Sequence, residues 1–131
     1  MSKVIAITNQ KGGVGKTVTS ECLGVILAKG GKRVLLIDFD PQGNLTKGLG
    51  YRDSHKYNYS LKDAILSEVN ETPFNWSECI IHTNEGIDLI PSNISLSGTD
   101  LMLSNVMSRE TVFKRVLEHY KHNYDYILID S

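Results

Sequence analysis

Cysteine, proline and net charge are all scarce in this sequence, and each shortage excludes a class of protein. The 131 residues include two cysteines and three prolines, and the formal net charge is −1. Cys22 and Cys79 stand far apart in apolar surroundings, which indicates packing residues of a reduced, cytoplasmic protein and not a disulfide framework. A nearly neutral chain has no bulk attraction to nucleic acid or to membrane surfaces.

Long hydrophobic runs are missing as well. No stretch of the sequence approaches the length that crosses a bilayer. Met1-Ser2-Lys3 leads straight into a short apolar run, so we expect no signal peptide. Repeats and low-complexity segments are not found. With 40% hydrophobic residues, a chain of 131 residues can hold one sizeable core.

What the sequence does contain is a regular alternation of apolar runs and helical patterns. Short runs rich in Val, Ile and Leu predict strands at about 3–8, 33–38, 87–91 and 126–130. Amphipathic patterns predict helices at about 16–29, 61–66, 96–106 and 109–120. In the first helix, the stripe that we expect to face the core consists of Val18, Cys22, Val25, Ile26 and Lys29. The alternation implies an α/β fold with a mainly parallel central sheet.

A glycine-rich loop follows the first predicted strand and opens the first predicted helix. It reads Lys11-Gly12-Gly13-Val14-Gly15-Lys16-Thr17, and Val18 comes next. Glycines let successive N–H groups point at phosphate oxygens, and a helix N-terminus adds partial positive charge. Lys16 can reach β- and γ-phosphate oxygens, and the Thr17 hydroxyl can ligate Mg²⁺. This context predicts a phosphate-binding loop.

Two of the predicted strands deliver carboxylates to their ends. The second strand carries Asp38 and Asp40, and Pro41 then stops it, while the fourth ends in Asp130 as a Walker B strand does. Ligands of open parallel sheets bind beyond the carboxyl ends of the strands, so the loop and these carboxylates are predicted to meet at one edge. Asp130 would hold Mg²⁺ through water, together with Thr17. Asp38 could share the Mg²⁺ water shell, hold the loop lysine, or cap its strand.

These segments together resemble the ParA/Soj group of partition ATPases. The loop has the deviant Walker A form, in which Lys11 is a second lysine and Gln10 stands where a plain P-loop has glycine. The Pro-Gln-Gly-Asn sequence after Asp40 is typical of the group, and the related MinD-like proteins usually lack it. Residues 89–93 and 124–130 also resemble it. The resemblance implies the N-terminal part, residues 1–131, of one P-loop ATPase domain with a three-layer α/β fold, truncated after the Walker B strand.

The resemblance also implies roles for individual residues. Asp40 would orient or activate the attacking water, and Lys16 would neutralise phosphate charge. Lys11 would cross to the partner's nucleotide in an ATP-dependent homodimer, where an extra cation stabilises the charge that builds on the phosphates. The nucleotide-binding set implied for ATP and Mg²⁺ runs from Lys11 to Val18. Many relatives have threonine in place of Val18, so we expect somewhat altered affinity at that position.

The function implied by the resemblance is a Mg²⁺-ATP-dependent switch for chromosome or plasmid partitioning. Such proteins bind DNA nonspecifically as the ATP dimer, are stimulated by a ParB-type partner, and are cytoplasmic and nucleoid-associated, without membrane attachment. Three alternatives stay open. They are a MinD-like membrane-associated positioning ATPase, a metal-cluster carrier, and an inactive fragment that binds nucleotide weakly or not at all. Without further strands beyond the first, we expect an exposed sheet edge and an oligomeric or marginally stable chain.

Overall fold

The computed structural model describes residues 2–7, 14–39, 44–50, 59–92 and 106–130, with residues 14–17, 44 and 106–110 described by their backbone alone. Its strands are β1 (Lys3–Ile7), β2 (Val34–Asp38), β3 (Ile81–His82), β4 (Asp88–Ile90) and β5 (Tyr126–Asp130). Its helices are α1 (Val14–Lys29), α2 (Asn44–Gly48), α3 (Leu61–Asn70) and α4 (Val106–Glu118), with a 3-10 turn at Trp76–Cys79.

The described strands form one sheet in the order β1-β5-β2-β4-β3. β5 lies between β1 and β2 and runs parallel to both, and β4 runs parallel to β2. Only the two-residue β3, which the sequence did not predict, is antiparallel. The predicted α/β fold with a mainly parallel sheet is therefore confirmed. β1 forms one edge of the described sheet, and 39% of Val4 is exposed there.

Helices cover both faces of the strands, which explains why β2 and β5 are so apolar. All five residues of β2 are buried, and β5 is buried from Ile127 to Asp130. Leu35, Ile37 and Ile127 point to the face covered by α3 and α4. Leu36 and Leu128 point to the face covered by α1. Alternate side chains of each strand thus enter two separate cores, as expected for parallel strands inside a layered fold.

The aromatic residues close the core on the α3 and α4 face. The Tyr120 ring is buried, and its hydroxyl donates to the Trp76 carbonyl over 2.8 Å. Trp76 stacks on His119 with ring centroids 3.7 Å apart, and Phe74 meets Trp76 edge-on. Trp76 therefore packs at the edge of this core. Burial raises the pKa of the nearby Cys79 thiol to about 12, so this cysteine is a packing residue.

The buried face of α1 differs from the predicted one. Val18 is 53% exposed and Ile26 is 65% exposed, and Cys22 is exposed as well. The side that meets the sheet carries Ser20, Leu23, Gly24, Leu27 and Ala28. An added Cβ at Gly24 would meet the Leu36 Cδ2 atom at 3.2 Å, so this helix packs closely on β2 through small residues. The predicted stripe was wrong because α1 has two apolar sides, and the side with Leu23 and Leu27 packs on the sheet.

The other helices lie close to their predicted positions. Ser60 precedes α3, and its backbone N–H donates to the Asp63 carboxylate over 2.8 Å, as in a capping box. α3 continues to Asn70, beyond the predicted end at residue 66. α4 begins at Val106, earlier than the predicted start at residue 109. The helix predicted at 96–106 falls almost wholly outside the described residues.

Candidate active site

Asp38 and Asp130 lie side by side at the carboxyl edge of the sheet. They are the last residues of β2 and β5, and they are paired in the parallel register of those strands. Both are fully buried. Burying two ionisable groups so close together is costly unless donors or cations compensate for their charge. A cation near the two carboxylates would lower this cost.

Asp130 is held by the helix that starts at the predicted phosphate loop. The Ser20 hydroxyl on α1 donates to Asp130 Oδ1 over 3.1 Å, and Ser20 is itself fully buried. The backbone N–H of Phe39 donates to the Asp130 carbonyl over 2.9 Å, extending the β2–β5 pairing by one residue. Ser20 thus connects α1 to the end of β5.

Asp38 is held by the next helix along the chain. Its Oδ2 atom accepts from the Thr46 backbone N–H over 2.9 Å and from the Thr46 hydroxyl over 2.6 Å. The Ser92 N–H donates to the same Thr46 hydroxyl over 3.0 Å. These contacts agree with the simplest expectation for Asp38, a carboxylate that caps its strand, and they are compatible with a place in a metal's water shell.

A third carboxylate adds to the negative charge of this region. Burial raises the pKa of Glu21, on α1, above its ordinary value, and the charges of Glu85 and Asp130 raise it further. Like charges near one another disfavour ionisation, and an added cation would relieve the repulsion. Among the residues that the structure describes, no group of His, Cys, Asp or Glu has the arrangement of a complete metal site. Protein carboxylates here could serve Mg²⁺ only together with water, hydroxyl or phosphate oxygens.

The predicted site residues are described to different extents. Lys11, Gly12, Gly13 and Asp40 lie outside the described residues. Residues 14–17 form the first turn of α1, with no description of their side chains. β1 ends at Ile7, the register partner of Asp130, and α1 begins at Val14, so the predicted loop connects these two elements beside the carboxyl edge. Val18, the last residue of the predicted set, is exposed.

Two residues that donate to these carboxylates were not predicted from the sequence. Ser20 and Thr46 each lie a few positions beyond a predicted motif. Ser20 comes about one helical turn after Thr17. If the buried face of α1 had been predicted correctly, a polar residue on that face would have indicated a buried contact. Thr46 follows the Pro-Gln-Gly-Asn segment, and its contact with Asp38 depends on how α2 turns back onto β2.

Charged groups also lie at the opposite end of the strands, where β4 and β5 begin, which we call the amino edge. The Asp88 carboxylate accepts from the Tyr124 hydroxyl over 2.6 Å and lies 2.7 Å from His82 Nδ1. Asp125 accepts from the Arg33 backbone N–H over 2.8 Å, a bond that holds the pKa of this carboxyl below its usual value. The side chains of Arg33 and Asp125 are 63% and 38% exposed. The contacts of Asp88 and Asp125 tie separate chain segments together.

No helix of the described segments combines the length and the apolar composition needed to cross a membrane.

Known proteins match the chain along nearly its whole length. The family model described as AAA domain matches residues 2–131. The sporulation initiation inhibitor protein Soj of Bacillus subtilis is 48% identical, over 99% of this chain and 49% of that protein. The chromosome-partitioning ATPase Soj of Treponema pallidum is 41% identical, over 99% of this chain and 48% of that protein. The chain therefore spans about half the length of these relatives.

A solved structure agrees with these sequence matches. The cobyrinic acid a,c-diamide synthase of Mycobacterium smegmatis, crystallised with ADP and magnesium, superposes with a TM-score of 0.86. It is 40% identical, over 99% of this chain and 51% of that one. The motifs, the sheet and these matches lead to one assignment: the chain belongs to the AAA-domain family and, within it, to the ParA/Soj type of P-loop ATPase.

Proposed function

We propose that this chain carries the nucleotide site of a Mg²⁺-dependent ATPase switch that partitions chromosomal or plasmid DNA, hydrolysing ATP to ADP and phosphate. The observation that carries the proposal is the pair of buried carboxylates, Asp38 and Asp130, beside the start of α1. The Treponema pallidum relative, named a chromosome-partitioning ATPase, supports partition as the process, and the ADP and magnesium of the solved neighbour support the cofactors. Residues 1–131 would be the N-terminal part of the ATPase domain.

The chemistry follows from charge placed around a phosphate chain. The N-terminus of α1 presents backbone N–H groups to phosphate oxygens, and Lys16 adds a cation near the β- and γ-phosphates. Mg²⁺, when bound, neutralises charge that develops during phosphoryl transfer. Thr17 would be its hydroxyl ligand, and Asp130 and Asp38 would accept hydrogen bonds from its water ligands. Ser20 and Thr46 keep these two carboxylates in place.

Hydrolysis also needs an oriented water and a way to control turnover. Asp40 would accept a hydrogen bond from the attacking water and hold it in line with the γ-phosphate. Lys11 would reach the nucleotide of the partner in an ATP-dependent homodimer, so that turnover requires dimerisation. In this scheme the ATP dimer binds DNA nonspecifically, a ParB-type protein stimulates hydrolysis, and the protein acts in the cytoplasm on the nucleoid.

Removal of the loop lysine tests the proposal most simply. Lys16→Ala should weaken binding of Mg²⁺-ATP sharply, because it removes the cation that balances the phosphate charge. Lys29→Ala is the matched control, since Lys29 is an exposed lysine in the last turn of the same helix. Isothermal titration of both variants should show loss of affinity only for Lys16→Ala. Equal affinities in the two variants, or no ATP binding by the unaltered protein, would refute the proposal.

Mixed dimers test the part assigned to Lys11. Lys11→Ala and Asp40→Ala proteins should each hydrolyse ATP poorly. In a mixed dimer, the site with intact Asp40 faces the subunit with intact Lys11, so one of the two sites should recover activity. Absence of recovery at every mixing ratio would show that Lys11 does not act across the dimer.

A further inference from the structure

The Thr46 hydroxyl joins three segments of the chain at the carboxyl edge. Thr46 is 1% exposed. Its hydroxyl and its backbone N–H both donate to Asp38 Oδ2, over 2.6 and 2.9 Å. The Ser92 N–H, just beyond β4, donates to the Thr46 hydroxyl oxygen over 3.0 Å. The end of β2, the helix α2 and Ser92, two positions after β4, therefore meet at a single side chain.

The direction of these bonds is fixed by what each group can donate. A hydroxyl has one hydrogen and two lone pairs, and a backbone N–H can only donate. The bond from Ser92 occupies a lone pair of the Thr46 oxygen and favours the orientation in which its hydrogen points to Asp38. Oδ2 receives two donors from one residue, so rotation of the carboxylate would break both bonds together. Thr46 thereby fixes the plane of the Asp38 carboxylate.

We propose that Thr46 is a positioning residue of the ATPase site, which acts through the Asp38 carboxylate. This inference rests on the proposed function. It assigns Thr46 no contact with nucleotide or metal. Its loss acts on turnover and on the Mg²⁺ requirement, because hydrolysis depends on the orientation of the Asp38 carboxylate. Nucleotide affinity, which depends on the loop and Lys16, changes little.

Removal of the hydroxyl at constant shape is the direct test. Thr46→Val should lower kcat by about tenfold or more and raise the Mg²⁺ concentration needed for half-maximal hydrolysis, the size of effect typical of residues that orient metal-site carboxylates. The KM for ATP should change far less. Thr46→Ser keeps the hydroxyl and should recover most of the activity. Ser67→Ala is the matched control, since Ser67 is a buried hydroxyl on α3 that donates to the Thr72 carbonyl.

A double-mutant cycle with Asp38→Asn separates positioning from general loss of stability. If Thr46 acts through Asp38, the two substitutions together should lower kcat by much less than the product of their separate effects. If Thr46→Val does not fold, Thr46→Cys takes its place, because a thiol is a weak donor of similar size. If the unaltered protein hydrolyses ATP, two results would overturn the inference. One is a kcat of Thr46→Val equal to that of Ser67→Ala. The other is that the separate effects of Thr46→Val and Asp38→Asn on kcat multiply in the double variant. Absence of hydrolysis by the unaltered protein would instead refute the proposed function.

Discussion

The two edges of the sheet each hold a pair of aspartates, and the pairs differ in burial and in partners. At the carboxyl edge, Asp38 and Asp130 are fully buried next to each other, and hydroxyl groups from α1 and α2 donate to them. At the amino edge, Asp88 and Asp125 are partly exposed, and their partners include the basic side chains of His82 and Arg33.

The difference bears on how each pair of acids would interact with a cation. A surface carboxylate that already has a basic neighbour gains little from a second cation. Two buried carboxylates next to each other lie in a place of low dielectric, where a cation would interact strongly with their charged form. The carboxyl edge therefore combines charge, burial and fixed orientation, and the amino edge serves to hold β3, β4 and the turn before β5 together.

Ser20→Ala should have the largest effect on stability among changes that leave the acids intact. It removes a buried donor to the Asp130 carboxylate, a bond type worth about 1.5–3 kcal/mol. Urea unfolding should show a loss of that order. Ser67→Ala, which removes a buried donor to a neutral carbonyl, should lose about 1 kcal/mol. Equal losses in the two variants would mean that the carboxyl edge places no special demand on its hydroxyl donors.

Tyr124→Phe should have an intermediate effect at the amino edge, and one that depends on pH. It removes the donor to Asp88 and should cost about 1–2 kcal/mol at neutral pH. Burial, together with the bond to Asp88, raises the pKa of the Tyr124 hydroxyl above its ordinary value of 10. The folded protein then keeps a proton that the unfolded chain releases, so this stabilisation is complete below pH 10 and declines as pH rises above it.

The loss of stability above pH 10 can be measured separately. Unfolding free energies of the unaltered protein and of Tyr124→Phe should converge as pH rises above 10. The pKa of Tyr120 is raised as well, chiefly by burial, so the variant keeps part of the alkaline decline. A difference between the two proteins that grows with pH would show that the sign of this linkage is wrong.

Arg33→Ala should have the smallest effect. The side-chain contacts of Arg33 with Asp125 are long, at 3.4 and 3.5 Å, and both groups are well exposed. The backbone N–H of residue 33 still donates in the variant, and this bond is the main cause that lowers the pKa of Asp125. An NMR titration should therefore find the pKa of Asp125 still below its usual value. A return to the usual value would assign the effect to the guanidinium group.

The sequence predicted the sheet well because buried parallel strands carry an unambiguous signal. The runs ending in Asp38 and Asp130 became β2 and β5 almost residue for residue, and their ends were correctly placed at one edge. The two-residue β3 lacked any such signal. The buried face of α1 could not be predicted from hydropathy, since it meets β2 at Gly24 and β5 at Ser20, and these residues are small and not strongly apolar.

The sequence predicted the motifs of the candidate site but not the contacts that support them. Glycine spacing and strand-end carboxylates are local patterns, and they indicated the loop and the acids directly. The donors to those acids come from residues far away in sequence or across a turn: Ser20 lies 110 residues from Asp130. Such contacts appear only when helices are packed on the sheet. The roles of Lys11, Lys16 and Asp40 remain predictions.

Hydrolysis by variants of the four edge aspartates tests the central claim most directly. Asp38→Asn and Asp130→Asn should each lower the rate of Mg²⁺-dependent ATP hydrolysis by about tenfold or more, the range seen when residues that support a metal site are lost. Asp88→Asn and Asp125→Asn remove acids of the same kind from the opposite edge, and they should leave the rate close to that of the unaltered protein. Comparable losses at both edges, or full activity with Asn at positions 38 and 130, would contradict the account.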